Sequence, residues 1–593
     1  MLIILAVLLA GVAAIGLGYR WFGPRLIENL YDGAAPGFLG RAISGREVHP
    51  LGHYMAVADA RVRSAVLCGS RLALIVALIH VLGGAAPRAG AGTRRDLLLL
   101  ALAAGVSVAV RWPHLGRTLG DGERSMAHTL IIHENWDLQG AWKHRFCMLR
   151  QYPGDANKFI RSKYTSIDLM DAEGNGYYSS MPPFSIMLPY LLFRPLGIPS
   201  TPLTIQVFNM AVQMATVFLF YFLLRLVLGE GPLRNAAALL GAVSYLFYAP
   251  NLWYYSNYYC FDSQWQNGWI AVLLCFFALR RRVEEGRGVS RGWLWALGAA
   301  TFFMVYSEYH GVVMAGTVGL YGLAAARRRR AYAAVLPALA LGTAAALALT
   351  FAQFSSVSGV RPFIESFLHK GAGRSGYAGG ADYDLWLIPL YYATAYSYLL
   401  LPLAGLAVLN LLARPRQGLA GGGSSFGLFA FLTVFPVLLH HAALAQWTAL
   451  HWFSVVKASV FLAGLTAVLF ARLAGVSRHR RPLAAAAAAL VLNALVTSCG
   501  VFAGTYVGEE DPARFYATGR KIARTAAPDE TVLAIPARRE IVHTLIYYSK
   551  RNIQLVESRE EALAWLRDHG RGKGVLFHLD AGDRVTRFER LSL

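Results

Sequence analysis

The sequence predicts an all-α polytopic membrane protein of about 13 transmembrane helices, with a small α/β domain at its C-terminal end. Three observations predict it. Of 593 residues, 56% are hydrophobic and 15% charged, against about 25% charged in soluble chains; mean hydropathy is +0.42. Apolar runs near the roughly 20 residues that cross a bilayer recur as far as residue 503. Beyond 503 the pattern changes to short helix-like and strand-like segments in alternation. Lipid offers the backbone no hydrogen-bond partner, so each apolar run is helical.

The expected spans are 2–18, 65–84, 96–110, 203–227, 235–250, 268–280, 292–306, 311–326, 331–352, 385–412, 426–441, 453–472 and 482–503. The first lacks a basic leading region and a small-residue cleavage site, and reads as a retained anchor. Orientation follows from basic clusters: Arg280, Arg281, Arg282, Arg287 and Arg291; Arg327 to Arg330; Arg414 with Arg416; Arg472, Arg478, Arg480 and Arg481. Alternating spans put all four on one side, which the positive-inside rule makes cytoplasmic. The segment 19–64 strains this scheme, because it carries several Arg residues and falls outside. The apolar run 184–193 is too short to span and is expected to lie at the interface. The net charge of +22 is carried largely by these loop clusters, which excludes a nucleic-acid-binding role. Five Cys build no disulfide framework; Cys147 and Cys260 fall outside and read as free thiols before a pair.

The division is therefore a transmembrane domain, 1–503, and an extracytoplasmic α/β domain, 504–593. Four pieces lie on the outer face: the loop 111–202, the Tyr- and Trp-rich 251–267, the third loop 353–384, and the tail. The tail's segments run helix 513–525, strand 531–535, helix 539–548, strand 552–556, helix 559–569 and strand 574–579.

The loop 111–202 is the most informative. Between 111 and 183 it holds eight Asp/Glu and nine Lys/Arg. Exported loops usually carry few cations near a span, so these cations suit an anionic lipid phosphate. A carboxylate beside a phosphate site is what glycosyl transfer from a lipid phosphate requires: a base for the acceptor's proton, and cations for the charge on the departing phosphate. Charge content alone is equally met by a solvated loop with surface ion pairs. Asp121 and Glu123, in Gly120-Asp121-Gly122-Glu123-Arg124, are the candidate bases.

The stretch 120–197 resembles the first outer loop of the GT-C superfamily of membrane glycosyltransferases, in the branch of protein O-mannosyltransferases and the lipid A aminoarabinose transferase. The residues are the acidic opening Gly120-Asp121-Gly122-Glu123, the helix-like 125–133 and Asn135-Trp136-Asp137-Leu138. Then come Tyr177-Tyr178-Ser179-Ser180-Met181-Pro182-Pro183-Phe184 and Pro195-Leu196-Gly197. Two features depart from that pattern: Gly122 separates the acids, and Met181 stands where the aminoarabinose branch often has Lys. The resemblance implies an inverting transfer of sugar from a polyprenyl-phosphate donor to an extracytoplasmic acceptor, at the outer face of a bacterial-type plasma membrane. It implies Asp121 or Glu123 as base and Asp262 in the second outer loop as a substrate contact. The tail's 546–551 and 558–561 resemble the small outer domain of the same branch.

Other candidate substrate contacts are Tyr178 in the loop motif and Glu308 in the turn Tyr306-Ser307-Glu308-Tyr309-His310. In the third loop Arg361, His369, Lys370 and Arg374 stand among Gly371, Gly373 and Gly376, where glycines let the backbone approach a phosphate. His451 and Lys457 open a later span, where Lys457 is also placed to snorkel to the interface. The spacing of His440, His441 and His451 matches no zinc pattern, so no metal ligands are assigned and a divalent metal stays an open cofactor. Two other functions meet the same features: a ligase moving a whole glycan from a diphosphate lipid, and a transporter or flippase of a lipid-linked sugar. The transporter reading lacks its usual inverted repeats.

Overall fold

The computed structural model describes residues 92–116, 124–160, 169–230, 233–257, 259, 261–375, 385, 387–412, 422–476, 480–503, 512–536, 543–580 and 584–593. The expected spans 2–18 and 65–84 and the segment 19–64 lie outside the described residues; the other expected spans fall on helices, with 331–352 and 453–472 beginning in 3-10 turns and 235–250 broken. The helices up to the third loop are α1 (Gly92–Arg111), α2 (Arg124–Gln139), α3 (Phe184–Phe193), α4 (Pro202–Val227), α5 (Arg234–Phe247), α6 (Ala249–Asn257), α7 (Phe261–Glu284), α8 (Arg291–Ser307), α9 (His310–Ala326) and α10 (Val335–Ser358). They continue as α11 (Val360–Ser375), α12 (Leu387–Leu412), α13 (Gly422–Ala443), α14 (Ala445–Leu450), α15 (Ser459–Val476) and α16 (Arg480–Val501).

Among the described residues, five helical stretches are long and apolar enough to cross a membrane: Thr93–His114, Pro202–Val227, Arg330–Ser358, Ser425–Ala443 and Ser454–Leu473. The pair Leu387–Leu400 and Pro402–Leu411, bent by 55°, makes a sixth. Pro402 accounts for the bend, since its ring removes one helical hydrogen bond and crowds the preceding turn. The expected span 235–250 is not continuous. Helix α5 stops at Phe247 and α6 restarts at Ala249, with Tyr248 extended between them. Pro250 cannot continue the helix of the preceding turn, and sequence hydropathy does not register that break. Close contacts of small residues hold the bundle: a Cβ on Gly342 of α10 would lie 2.4 Å from the Gly298 carbonyl oxygen of α8.

The basic clusters 280–291 and 327–330 meet one another. Arg281 bonds Glu230 (2.9 Å) and Glu285 (2.7 Å); Arg329 donates to the Val283 carbonyl (2.7 Å). The loop 124–201, α11 and the C-terminal domain meet one another elsewhere. In that loop, β1 (Met148–Leu149), β2 (Leu169–Met170) and β3 (Gly176–Tyr178) form a small antiparallel sheet in the order β1-β3-β2. The ten-residue helix α3 is too short to span; Ile186, Tyr190 and Phe193 are buried while Leu191 and Leu192 face outward.

The C-terminal unit is α/β. Helix α17 (Pro512–Thr525), β4 (Thr531–Ile535), α18 (His543–Ser549), β5 (Ile553–Leu555), α19 (Arg559–Asp568), β6 (Lys573–Leu579) and β7 (Val585–Ser592) follow in order. The sheet runs β5-β4-β6-β7, parallel except for the last pair. Its core is Phe515, Ile522, Val532, Ala534, Val575 and Phe577. Strand β7 is the one element the sequence reading omits. It is an edge strand with mostly exposed residues, including Arg587, Phe588 and Arg590, so it lacks the apolar alternation of a half-buried strand.

Candidate functional site

Helix α11 replaces the expected glycine loop. Residues 363, 366, 370 and 374 recur every three or four positions and share one face. Phe363 and Ser366 on that face are buried. From it, Lys370 Nζ donates to Ser179 Oγ (2.9 Å) and Arg374 donates to the Ser180 carbonyl (3.3 Å). The outward face carries Val360, Ile364, Phe367 and Leu368, all exposed, as an interfacial helix does. Two expected residues do not join Lys370 and Arg374 on that face. Arg361 is 88% exposed and paired with Glu365 (2.7 Å); His369 is exposed. The helical period turns both away from Lys370. A Cβ on Gly371 or Gly373 would meet nothing within 4 Å, so no contact within the protein requires a glycine at either position.

Lys370 and Arg374 meet the first loop at Tyr178. The Tyr178 ring lies under the Arg150 guanidinium (4.0 Å) and near Lys370 Nζ (5.6 Å), with the His128 ring against its edge (4.8 Å). His128 in turn faces His543 of the C-terminal domain (5.3 Å) and accepts from Arg150 Nε. Burial, Arg150 and His543, in that order, hold the His128 imidazole well below its ordinary pKa. It is therefore a neutral acceptor.

A second arm of the cluster comes from the segment after α13. The Arg374 guanidinium lies 4.3 Å over the Trp447 ring, and His451 stacks on that ring at 3.6 Å. Lys457 does not snorkel: it is 1% exposed, its Nζ sits 3.4 Å from His440 Nε2, and it lies 5.7 Å over the Trp265 ring. The reason is its place in a 3-10 turn (Trp452–Ala458) packed inside the bundle. His310 stands 4.1 Å from His440 and 5.0 Å from Trp265, and its neighbour Glu308 is buried. Tyr178, Lys370, Arg374, His451 and Lys457 thus belong to one cation-rich, aromatic-walled cluster. The sequence reading missed Arg150, His128, His543 and Trp447, which come from three distant segments with no shared motif.

Asp121 and Glu123 lie outside the described residues, three and one positions before α2 begins. Asp262 lies in the first turn of α7. Among the described residues no group of three or more His, Cys, Asp or Glu is arranged to hold a metal. His441 Nε2 meets the Tyr392 hydroxyl (2.6 Å) and His440 Nε2 meets Lys457, so these rings are turned to protein partners. Cys147 is a buried free thiol whose pKa burial raises; Cys260 lies outside the described residues.

The loop's far wall is the C-terminal domain. Tyr152 N donates to Asn552 Oδ1 (3.0 Å), and Asn552 N donates to Asn157 Oδ1 (2.9 Å). Asn552 Nδ2 also donates to Gln151. Lys550 pairs with Glu134 (2.5 Å), which also accepts from the Tyr152 hydroxyl (3.1 Å). A small cavity of about 40 Å³ lies at this seam, lined by Arg150, Gln151, His543 and Asn552 among others.

No protein-family model matches the chain, and no curated protein matches it in sequence. Solved structures do. The chain is similar to ArnT from Cupriavidus metallidurans bound to undecaprenyl phosphate, at 14% identity and a TM-score of 0.51, over 83% of this chain and 94% of that one. It is also similar to the archaeal oligosaccharyltransferase AglB from Archaeoglobus fulgidus, in complex with an inhibitory peptide and a dolichol-phosphate. There the identity is 12% and the TM-score 0.51, over 81% of this chain and 69% of that one. At such identities the likeness carries the fold alone: the chain shares the membrane fold of these two proteins, the kind of fold that the resemblance of the first loop implies.

Proposed function

We propose that this GT-C-fold protein transfers a sugar from a polyprenyl-phosphate donor to an acceptor outside the cytoplasm, with inversion at the sugar carbon. The carrying observation is the convergence of Lys370 and Arg374 from α11 on Tyr178–Ser180 of the first loop. Two cations there, with Lys457 behind them, face the wall that begins the acidic loop. The neighbours with this fold hold undecaprenyl phosphate and dolichol-phosphate, which supports a lipid phosphate as the anion.

In the proposed step Asp121 takes the acceptor's proton while the acceptor oxygen attacks the anomeric carbon from the face opposite the phosphate. The bond to the phosphate oxygen breaks, and its electron pair leaves as the polyprenyl phosphate anion. Lys370, Arg374 and Lys457 stabilise that charge as it forms. The basic end of the bundle is the cytoplasmic one in this reading, and the cluster faces outward.

The test is turnover of labelled donor by purified protein. Asp121→Asn keeps the shape and removes the base, so the rate falls on the order of 100- to 10,000-fold while donor binding persists. Wild-type turnover in Asp121→Asn with an inactive Glu123→Gln moves the role to Glu123. Full activity in both variants removes the mechanism.

A further inference from the structure

Away from this cluster, a second cation stands in a different state. Arg111 closes α1, at the end of a span. Its side chain is 0% exposed, and none of its three guanidinium nitrogens has a hydrogen-bond partner among the described residues. Among the described residues the ionisable groups that act on it are Cys499 and Tyr255, neither of them a carboxylate. Ser107, one turn earlier on the same face, is also buried with its hydroxyl unpartnered.

The facing helix α4 adds amides. Gln206, Asn209 and Gln213 recur at helical spacing, forming one buried polar stripe on a membrane-spanning helix. Gln206 is tied to the same end of α1, accepting from Gly116 N (2.7 Å). Asn209 reaches α6 through the Tyr254 carbonyl (3.4 Å). Gln206 Nε2 and both polar atoms of Gln213 have no partner among the described residues.

A buried, unpaired guanidinium costs several kcal/mol in a low-dielectric interior, and an unpaired amide adds to that. Ionisable side chains inside a membrane mark ligand paths far more often than packing. Guanidinium stays charged and presents a planar fork of donors that suits phosphate oxygens. The end of a span is the depth at which a lipid phosphate sits.

We infer that Arg111, with the amides of Gln206 and Gln213, forms a second phosphate-binding site, separate from the Lys370–Arg374–Lys457 cluster. It is linked to that cluster through Tyr255. The Tyr255 hydroxyl donates to Gln266 Oε1 (2.9 Å), and Gln266 Nε2 donates to the Val456 carbonyl beside Lys457 (3.1 Å). The site exists whether or not the chain moves a sugar, so it goes beyond the proposed function.

The experiment is thermal melting of the full-length protein in detergent, in a Lys370→Ala, Arg374→Ala background that weakens the first cluster. Three probes are added separately: inorganic phosphate, undecaprenyl phosphate, and phosphatidylglycerol against a phosphatidylcholine control. At least one probe should raise the melting temperature, and the probe that does identifies the source. Arg111→Met should abolish that rise, with affinity falling on the order of tenfold or more. Gln213→Leu should lower affinity by a smaller factor. Without probe, Arg111→Met should melt at or above its parent, because it removes an unpaired buried charge. A rise that survives Arg111→Met, or no rise with any probe, overturns the site. So does a loss of folding without probe, since it would mean that Arg111 has a structural partner within the chain.

Discussion

The two walls of the cation cluster are held in opposite ways. The wall of α2, the loop sheet and the C-terminal domain is locked by protein–protein polar contacts centred on Asn552 and Glu134. The α11 wall has exposed apolar residues on its outward face and reaches the loop through Ser179, Ser180 and Trp447. The first wall is held by contacts within the chain itself. The second brings Lys370 and Arg374 to the loop on one face and leaves Val360, Ile364, Phe367 and Leu368 exposed on the other, so under the proposed function a lipid-borne phosphate would meet the two cations while that apolar face rests in the membrane. A site for a lipid-linked group needs both kinds of wall: rigidity where an acceptor is oriented, and lipid contact where the donor enters.

The largest expected effect tests the lipid-facing wall. Lys370→Ala with Arg374→Ala removes two charge-assisted contacts, so polyprenyl-phosphate affinity should fall about 10- to 100-fold. Unchanged affinity by titration calorimetry would break the comparison at once. The fixed wall is tested next. Asn552→Ala leaves buried backbone and side-chain groups of the loop unpaired, at a cost of about 1–3 kcal/mol. Limited proteolysis between loop and domain should become faster, and phosphate affinity should change less than in the first variant.

A smaller effect comes from His133 on the same wall. Its Nε2 lies 2.8 Å from the Ile186 carbonyl, which only accepts, so Nε2 carries the proton, and Nδ1 takes the Ser200 hydroxyl (2.8 Å). Burial lowers its pKa from 6.5 to about 4, against the Ile186 bond that raises it. Between those values the unfolded chain binds the proton and the folded one does not. Stability contributed by the neutral ring is therefore present above 6.5 and lost as pH falls toward 4, at no more than about 1.4 kcal/mol per pH unit. His133→Gln should flatten the slope of stability against pH in that window. The smallest effect sharpens the contrast within α11. Arg361→Ala and His369→Ala should leave phosphate affinity within about twofold, because exposed pairs and rings contribute little.

Hydropathy made the membrane class, the apolar helices and the α/β tail legible, though not the break at Tyr248, because burial in lipid and in a sheet leaves periodic apolar patterns. The candidate list was legible in part. Lys370, Arg374, His451 and Lys457 stood out as cations beside spans. Arg361 and His369 were grouped with them only because 360–375 reads as a glycine-rich loop; its helical period separates them. Lys457 reads as an interfacial lysine from its place in sequence, while packing buries it under Trp265.

The sequence by itself determined that this chain carries many apolar helices of a membrane protein, that its Arg residues cluster in the loops between them, and that an acidic loop opens near one of those helices. These follow from composition and short-range period, which lipid and backbone hydrogen bonding impose residue by residue. Only the tertiary structure decided that Arg150 and His128 meet at Tyr178 with His543 against His128, that Arg374 lies over Trp447, and that the buried Arg111 guanidinium has no hydrogen-bond partner among the described residues. Those are contacts between segments tens to hundreds of residues apart. No local pattern encodes them, because they depend on how helices pack and on which faces that packing turns inward.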